Sequence, residues 1–109
     1  PMGSLTLLAT GVGTGAYHDG LEVDACGNIY VADYGTSGLW RITPDGVVSN
    51  LHTFSPMMYG HGIRWGNGVD GWRDDALYLP QPYNGNKVVE VVIEVPSREY
   101  EGKVYNKVK

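Results

Sequence analysis

The sequence predicts an all-β protein made of two consecutive four-stranded antiparallel sheets. Two observations carry this. Glycine (16), tyrosine (8) and tryptophan (3) are abundant in 109 residues while helix-period segments are nearly absent, which favours short strands joined by tight turns. The same succession of short apolar runs also occurs twice along the chain.

In order, Pro1-Met2-Gly3-Ser4 resembles the remnant of a cleaved expression tag and is set aside from the fold. Residues 20–24 (GLEVD) put Leu21 and Val23 on one face of a strand, and residues 28–33 (NIYVAD) form a compact run of β-formers after the turn ACGN. YGTSG leads into a third strand over 39–43 (LWRIT), and TPDG turns the chain into a fourth over 47–53 (VVSNLHT). Four such strands in sequence make one propeller blade.

The second round runs GIRW (62–65), DALYLP (75–80) and KVVEV (87–91), matching GLEV, GNIYVA and GLWRI. Matching Asn67-Gly68-Val69 to Asp19-Gly20-Leu21 instead would set Gly71 at the buried Val23 position, so GNGVDGWR is read as a longer turn. Blades are therefore expected over 19–53 and 61–95, with 96–109 as a polar tail or edge strand. Upstream, SLTLLAT (4–10) matches VVSNLHT and reads as an outermost strand without a blade of its own. Such a strand would complete the blade of another copy and cover its open edge.

No apolar run approaches the roughly 20 residues of a spanning helix, so no membrane partner is expected. A formal charge of −4 without Lys/Arg clusters argues against nucleic acid. The single cysteine, Cys26, forms no internal disulfide and is expected in a surface turn. Trp40, Trp65, Ile29, Val31, Leu77 and Leu79 are expected in the core.

The stretch GLEVDACGNIYVADYGTSGLWRITPDG (20–46) resembles a blade of the senescence-marker-protein/gluconolactonase superfamily and is also similar to the NHL repeat. The resemblance covers about residues 4 to 95. It implies a six-bladed ring, of which this chain supplies two blades, and a homotrimer would close it with each N-terminal strand docked on a neighbour. An excised fragment associating otherwise is the rival expectation. The gluconolactonase-like pattern also implies a divalent cation at the channel mouth, where Asp19-Gly20 matches one ligand position. His61-Gly62 stands at the corresponding place one blade later, and no residue matches the family's Glu ligand.

Asp19 and His61 are thus the metal candidates, and carboxylate with imidazole suits zinc, nickel or manganese better than calcium. They are equally readable as hydrogen-bonding ties between loops. Tyr17, His18, Tyr34, Tyr59, Gln81 and Tyr83, with Met58 and Asn84 nearby, would form an aromatic rim suited to a small polar ligand. Asp33 is expected to brace YGTSG rather than touch ligand. His18 and Asp19 point to opposite sides of an extended segment and make no catalytic dyad. In GNGVDGWRDD, Trp72 is expected to fold back over the sheet edge and the carboxylates to be solvated.

Two functions remain open at this point. One is an assembly module binding a small ligand or partner at the channel mouth. The other is a metal-dependent lactone or ester hydrolase resembling gluconolactonases, with a metal-bound water and His18 or His61 as proton carrier.

Overall fold

The computed structural model describes residues 3–13, 17–54, 62–81 and 87–98. All seven elements among them are β-strands: β1 (His18–Val23), β2 (Ile29–Asp33), β3 (Gly38–Ile42), β4 (Val48–Thr53), β5 (Arg64–Trp65), β6 (Ala76–Gln81) and β7 (Lys87–Val92). They form two antiparallel sheets, ordered β1-β2-β3-β4 and β5-β6-β7.

The second sheet has three strands among the described residues instead of the expected four. After β7 the chain bends at Glu94, in the left-handed region at φ 70. It then returns to the first sheet, where the Ala25 amide donates to the Pro96 carbonyl at 2.9 Å and Asp24 bridges to Ser97. Pro96 lacks the amide that a continuing ladder needs.

Strand register decides which side chains meet. Glu22, Tyr30 and Arg41 lie opposite one another across β1, β2 and β3, so they share a face. That face turns toward the second sheet: Tyr30, Ala32 and Leu39 pack with Ile63, Leu77 and Leu79 in one buried cluster. Tyr30 meets Trp65 edge to face, with ring centroids 5.8 Å apart and planes at 87°. Burying these side chains is the main apolar contribution to the fold, each worth roughly 1.5–3 kcal/mol.

Gly20 and Gly62 precede the apolar residues of β1 and β5 with φ of 117 and 132. A Cβ on Gly20 would lie 2.8 Å from the Gly62 Cα and 2.9 Å from the Ile63 amide nitrogen. Glycine is therefore what lets the two sheets approach here.

Positions equivalent in the repeat are not equally buried. Ile63 is 4% exposed and its counterpart Leu21 is 59% exposed; Leu39 is fully buried and its counterpart Val88 is 58% exposed. Leu21 and Val23 face away from the second sheet, and Tyr78, Pro80 and Val88 face away from the first. On the outer face of the first sheet Leu21 is exposed while Val31 and Ile42 are buried, and on the outer face of the second Pro80 and Val88 are exposed. Trp40 and Trp65 are half-buried rather than in the core, whereas Val31, Leu77 and Leu79 are buried and Ile29 half-buried.

Residues 3–10 form no strand, and Leu5 is 96% exposed. The segment runs from the β3–β4 turn, where the Leu8 carbonyl faces Gly46, to Val12 beside His18. It pairs with neither sheet edge of its own chain.

Candidate ligand site

The first sheet is closed at each end by a buried aspartate. At the β1–β2 turn, Asp24 Oδ1 accepts from the Cys26 and Asn28 amides, both at 2.9 Å. Its Oδ2 accepts from Asn28 Nδ2 at 3.0 Å and from the Tyr30 hydroxyl at 2.8 Å. Burial pushes the Asp24 carboxyl up, but the donors Asn28, Tyr30 and Cys26 outweigh it and hold it below its ordinary value. Burial, then the bond to Asp24 and its charge, raise the Tyr30 hydroxyl. Cys26 is exposed in this turn, as expected.

At the opposite end, Asp33 accepts from the Tyr17 amide at 2.7 Å, the Gly35 amide at 3.2 Å and the Thr36 hydroxyl. Burial opposes its ionisation, yet these donors, with the nearby charge of His18, hold its carboxyl below the usual range. Asp33 thus braces YGTSG and also fixes Tyr17. The Tyr17 ring stacks on Tyr34 with centroids 5.1 Å apart and planes at 24°, and Tyr17 and His18 are exposed.

Four of the expected site residues therefore gather where β1 begins: Tyr17, His18, Asp19 and Tyr34. His18 donates from Nε2 to the Val12 carbonyl at 2.6 Å. Gln81 ends β6 at the position Asp33 holds on β2, and it is buried rather than on an exposed rim. Tyr59, His61 and Tyr83, with Met58 and Asn84, lie outside the described residues.

At this end the Asp33 oxygens are engaged by Tyr17, Gly35 and Thr36, and the half-buried Asp19 has a partner of its own. Among the described residues no group of three or more His, Cys, Asp or Glu side chains gathers to hold a metal ion.

A second cluster, not expected from the sequence, lies at the other end of the second sheet. Trp72 sits edge-on to Tyr78, with ring centroids 4.8 Å apart and planes at 80°. The Tyr78 hydroxyl donates to Glu90 Oε2 at 2.6 Å and accepts from the Arg73 amide at 2.9 Å. The bond to Glu90, then burial, raise the Tyr78 hydroxyl above its usual value.

Arg73 forks onto Asp75 at 2.7 and 2.9 Å in a solvent-exposed pair. That pairing, acting at the exposed surface, lowers the Asp75 carboxyl. A Cβ on Gly66 would fall on the Arg73 carbonyl, so the turn closes against glycine there. Arg64, Trp65, Gly66, Asn67, Trp72 and Tyr78 line an open cavity of about 300 Å³. The signal in the sequence was Tyr78 as the counterpart of Tyr30, with Gly66 where Asp24 would have taken its hydroxyl.

No protein-family model matches the chain, and comparison with curated proteins finds no match either.

Proposed function

We propose that this chain is an assembly module contributing two blades to a β-propeller, and that it binds a small polar ligand or partner where β1 and β5 begin. The observation that carries this reading is the unequal burial of equivalent positions. Leu21 and Val88 stand bare where Ile63 and Leu39 are covered by the adjoining sheet. Exposed apolar rows of this kind mark interaction surfaces, and here a further sheet on each side would cover them. By the resemblance to six-bladed propellers, three copies close the ring.

On such a ring, Tyr17, His18 and Tyr34 lie at the channel mouth. By the same resemblance Tyr59, His61 and Tyr83, outside the described residues, would belong with this rim and with Asp19 at the axis, whereas Gln81 is buried at the end of β6. The stacked Tyr17–Tyr34 pair supports ligand binding, since two rings fixed by Asp33 offer a pre-ordered apolar wall with hydroxyl groups at its edge.

Metal analysis of chelator-free protein, with thermal melting in added zinc, manganese or calcium, tests the axial site. Bound metal or a raised Tm that Asp19→Ala abolishes without unfolding supports it. Unchanged melting with all three ions and no bound metal removes the metal from this reading.

A further inference from the structure

The long β5–β6 turn carries an exposed indole in a fixed position. Trp72 is 52% exposed, yet its amide donates to the Val69 carbonyl at 3.1 Å, the Val69 amide donates to Asn67 Oδ1 at 3.0 Å, and the Arg73 amide donates to the Tyr78 hydroxyl. Trp72 thus stands edge-on to Tyr78 within the single chain. Two rings ordered in advance spare a ligand the cost of ordering them.

The polar groups that line the cavity beside these rings are unbalanced. The Tyr78 hydroxyl already serves Glu90 and Arg73, and Asn67 Oδ1 is engaged by Val69, which leaves Asn67 its Nδ2 donor. Arg64 brings donors alone, is exposed, and meets no carboxylate among the described residues. The Trp65 indole N–H is enclosed and lacks an acceptor among them. Every side-chain oxygen lining the cavity is therefore engaged, while donors and ring faces remain.

Such a lining selects its occupant by hydrogen-bond sign. A saccharide brings hydroxyl donors for which these side chains hold no free acceptor, whereas a carboxylate brings acceptors alone and matches the planar guanidinium fork. A cavity of about 150 Å³ is enough to hold benzene. The present one, of about 300 Å³, has room for one ring and its carboxylate. Glu90 lies across Tyr78 from Arg64 in the strand register but does not line the cavity.

We infer that the cavity beside Trp72, Tyr78 and Arg64 binds a small aromatic carboxylate, its ring against Trp72 and Tyr78 and its carboxylate on the Arg64 guanidinium and Asn67 Nδ2. The site is built from β5, the turn after it and β6 of one chain. It shares no residue with the channel-mouth site and needs no second copy.

Benzoate titrated into the full 109-residue chain, followed by tryptophan fluorescence and the indole N–H signals in NMR, tests the inference. Saturable binding is expected, with benzamide, which keeps the ring and lacks the charge, at least about tenfold weaker. Acetate, which lacks the ring, and methyl glucoside are expected to give no saturable change. Arg64→Gln, at an exposed position, is expected to weaken benzoate about tenfold and benzamide far less, with circular dichroism that of the parent. Trp72→Ala weakens both ring ligands, and Trp72→Phe, which keeps a ring in the turn, retains most of the binding.

The absence of a saturable benzoate response overturns the inference. So does benzoate binding that benzamide equals or that Arg64→Gln leaves unaltered, and so does methyl glucoside binding tighter than benzoate. Sedimentation velocity of the same samples reads assembly separately: a chain that assembles without taking up benzoate ends this inference and leaves the propeller reading, and a monomer that binds benzoate does the reverse.

Discussion

Replacing Asp24 by alanine tests the idea that a buried carboxylate organises the first sheet. The side chain has no solvent exposure and receives four hydrogen bonds: two backbone amides on Oδ1, and Asn28 Nδ2 with the Tyr30 hydroxyl on Oδ2. Hydrogen bonds to a charged group each contribute about 1.5–3 kcal/mol net, and a buried donor left alone costs about 1–3 kcal/mol. Tyr30 is 1% exposed, so its hydroxyl loses its partner in a site closed to bulk solvent.

Against this, removing the carboxylate relieves its own desolvation. The expected net loss is about 3–5 kcal/mol. At roughly 4 °C per kcal/mol for a domain of this size, Tm falls by at least about 12 °C.

Tyr30→Phe removes only one of the four bonds and is expected to cost about 1–2 kcal/mol. In the Tyr30→Phe background, Asp24→Ala no longer strands the hydroxyl, so the two changes are expected to couple by about 1.5 kcal/mol or more. Urea unfolding followed by tryptophan fluorescence suits the measurement, because Trp65 lies edge-on to Tyr30. A loss below about 1 kcal/mol for Asp24→Ala, or additive single changes, refutes the reasoning.

Three other outcomes are expected. Ile63→Ala, in the buried cluster, costs about 2–4 kcal/mol, while Leu21→Ala stays within about 0.5 kcal/mol at dilutions where the chain is monomeric; equal losses by chemical denaturation would contradict the open-face assignment. Gly20→Ala drives a Cβ against the Gly62 backbone at a φ of 117 and lowers stability by roughly 2 kcal/mol or more, whereas Gly62→Ala meets no atom of the described residues within 4 Å, so its cost is expected to be the smaller. Stability also depends on pH at both ends of the scale. The carboxyls of Asp24 and Asp33 are held below their unfolded values, so their contribution is present above about pH 4 and lost as pH falls through the folded values. Tyr30 is raised, so stability declines as pH rises beyond about 10, where the unfolded chain ionises and the folded one does not. Melting curves from pH 2 to 11 read both limbs, and Asp24→Asn flattens the acid one.

The strands were legible because a period of two and turn chemistry are local. YGTSG, TPDG and ACGN stop strands wherever they stand, and Gly20 and Gly62 mark the same backbone position twice through their positive φ. The register placing GIRW on GLEV needed only apolar alternation, and β5 lies at Arg64–Trp65 with the long turn after it. Strand ends shift by a residue or two where flanking groups join the ladder, as when His18 pairs with Asp33 across a bulge.

The candidate site was legible in part. Tyr17 and Tyr34 are 17 residues apart in sequence, and their stacking depends on Asp33 gripping the Tyr17 amide from the next strand. Gln81 reads as a polar rim residue, yet the end of β6 is buried by its neighbours. Trp72, Tyr78, Glu90 and the Arg73–Asp75 pair come from a turn and two strands, so only the fold brings them together.

By itself the sequence determined that the described elements are β and that the order of the first three strands repeats in the second sheet, because each depends on residues a few positions apart, while the strand it placed over 4–10 did not form. The tertiary structure decided which face of each strand is covered. Burial is a property of what lies opposite, and the same apolar pattern that hides Ile63 and Leu39 leaves Leu21 and Val88 in solvent.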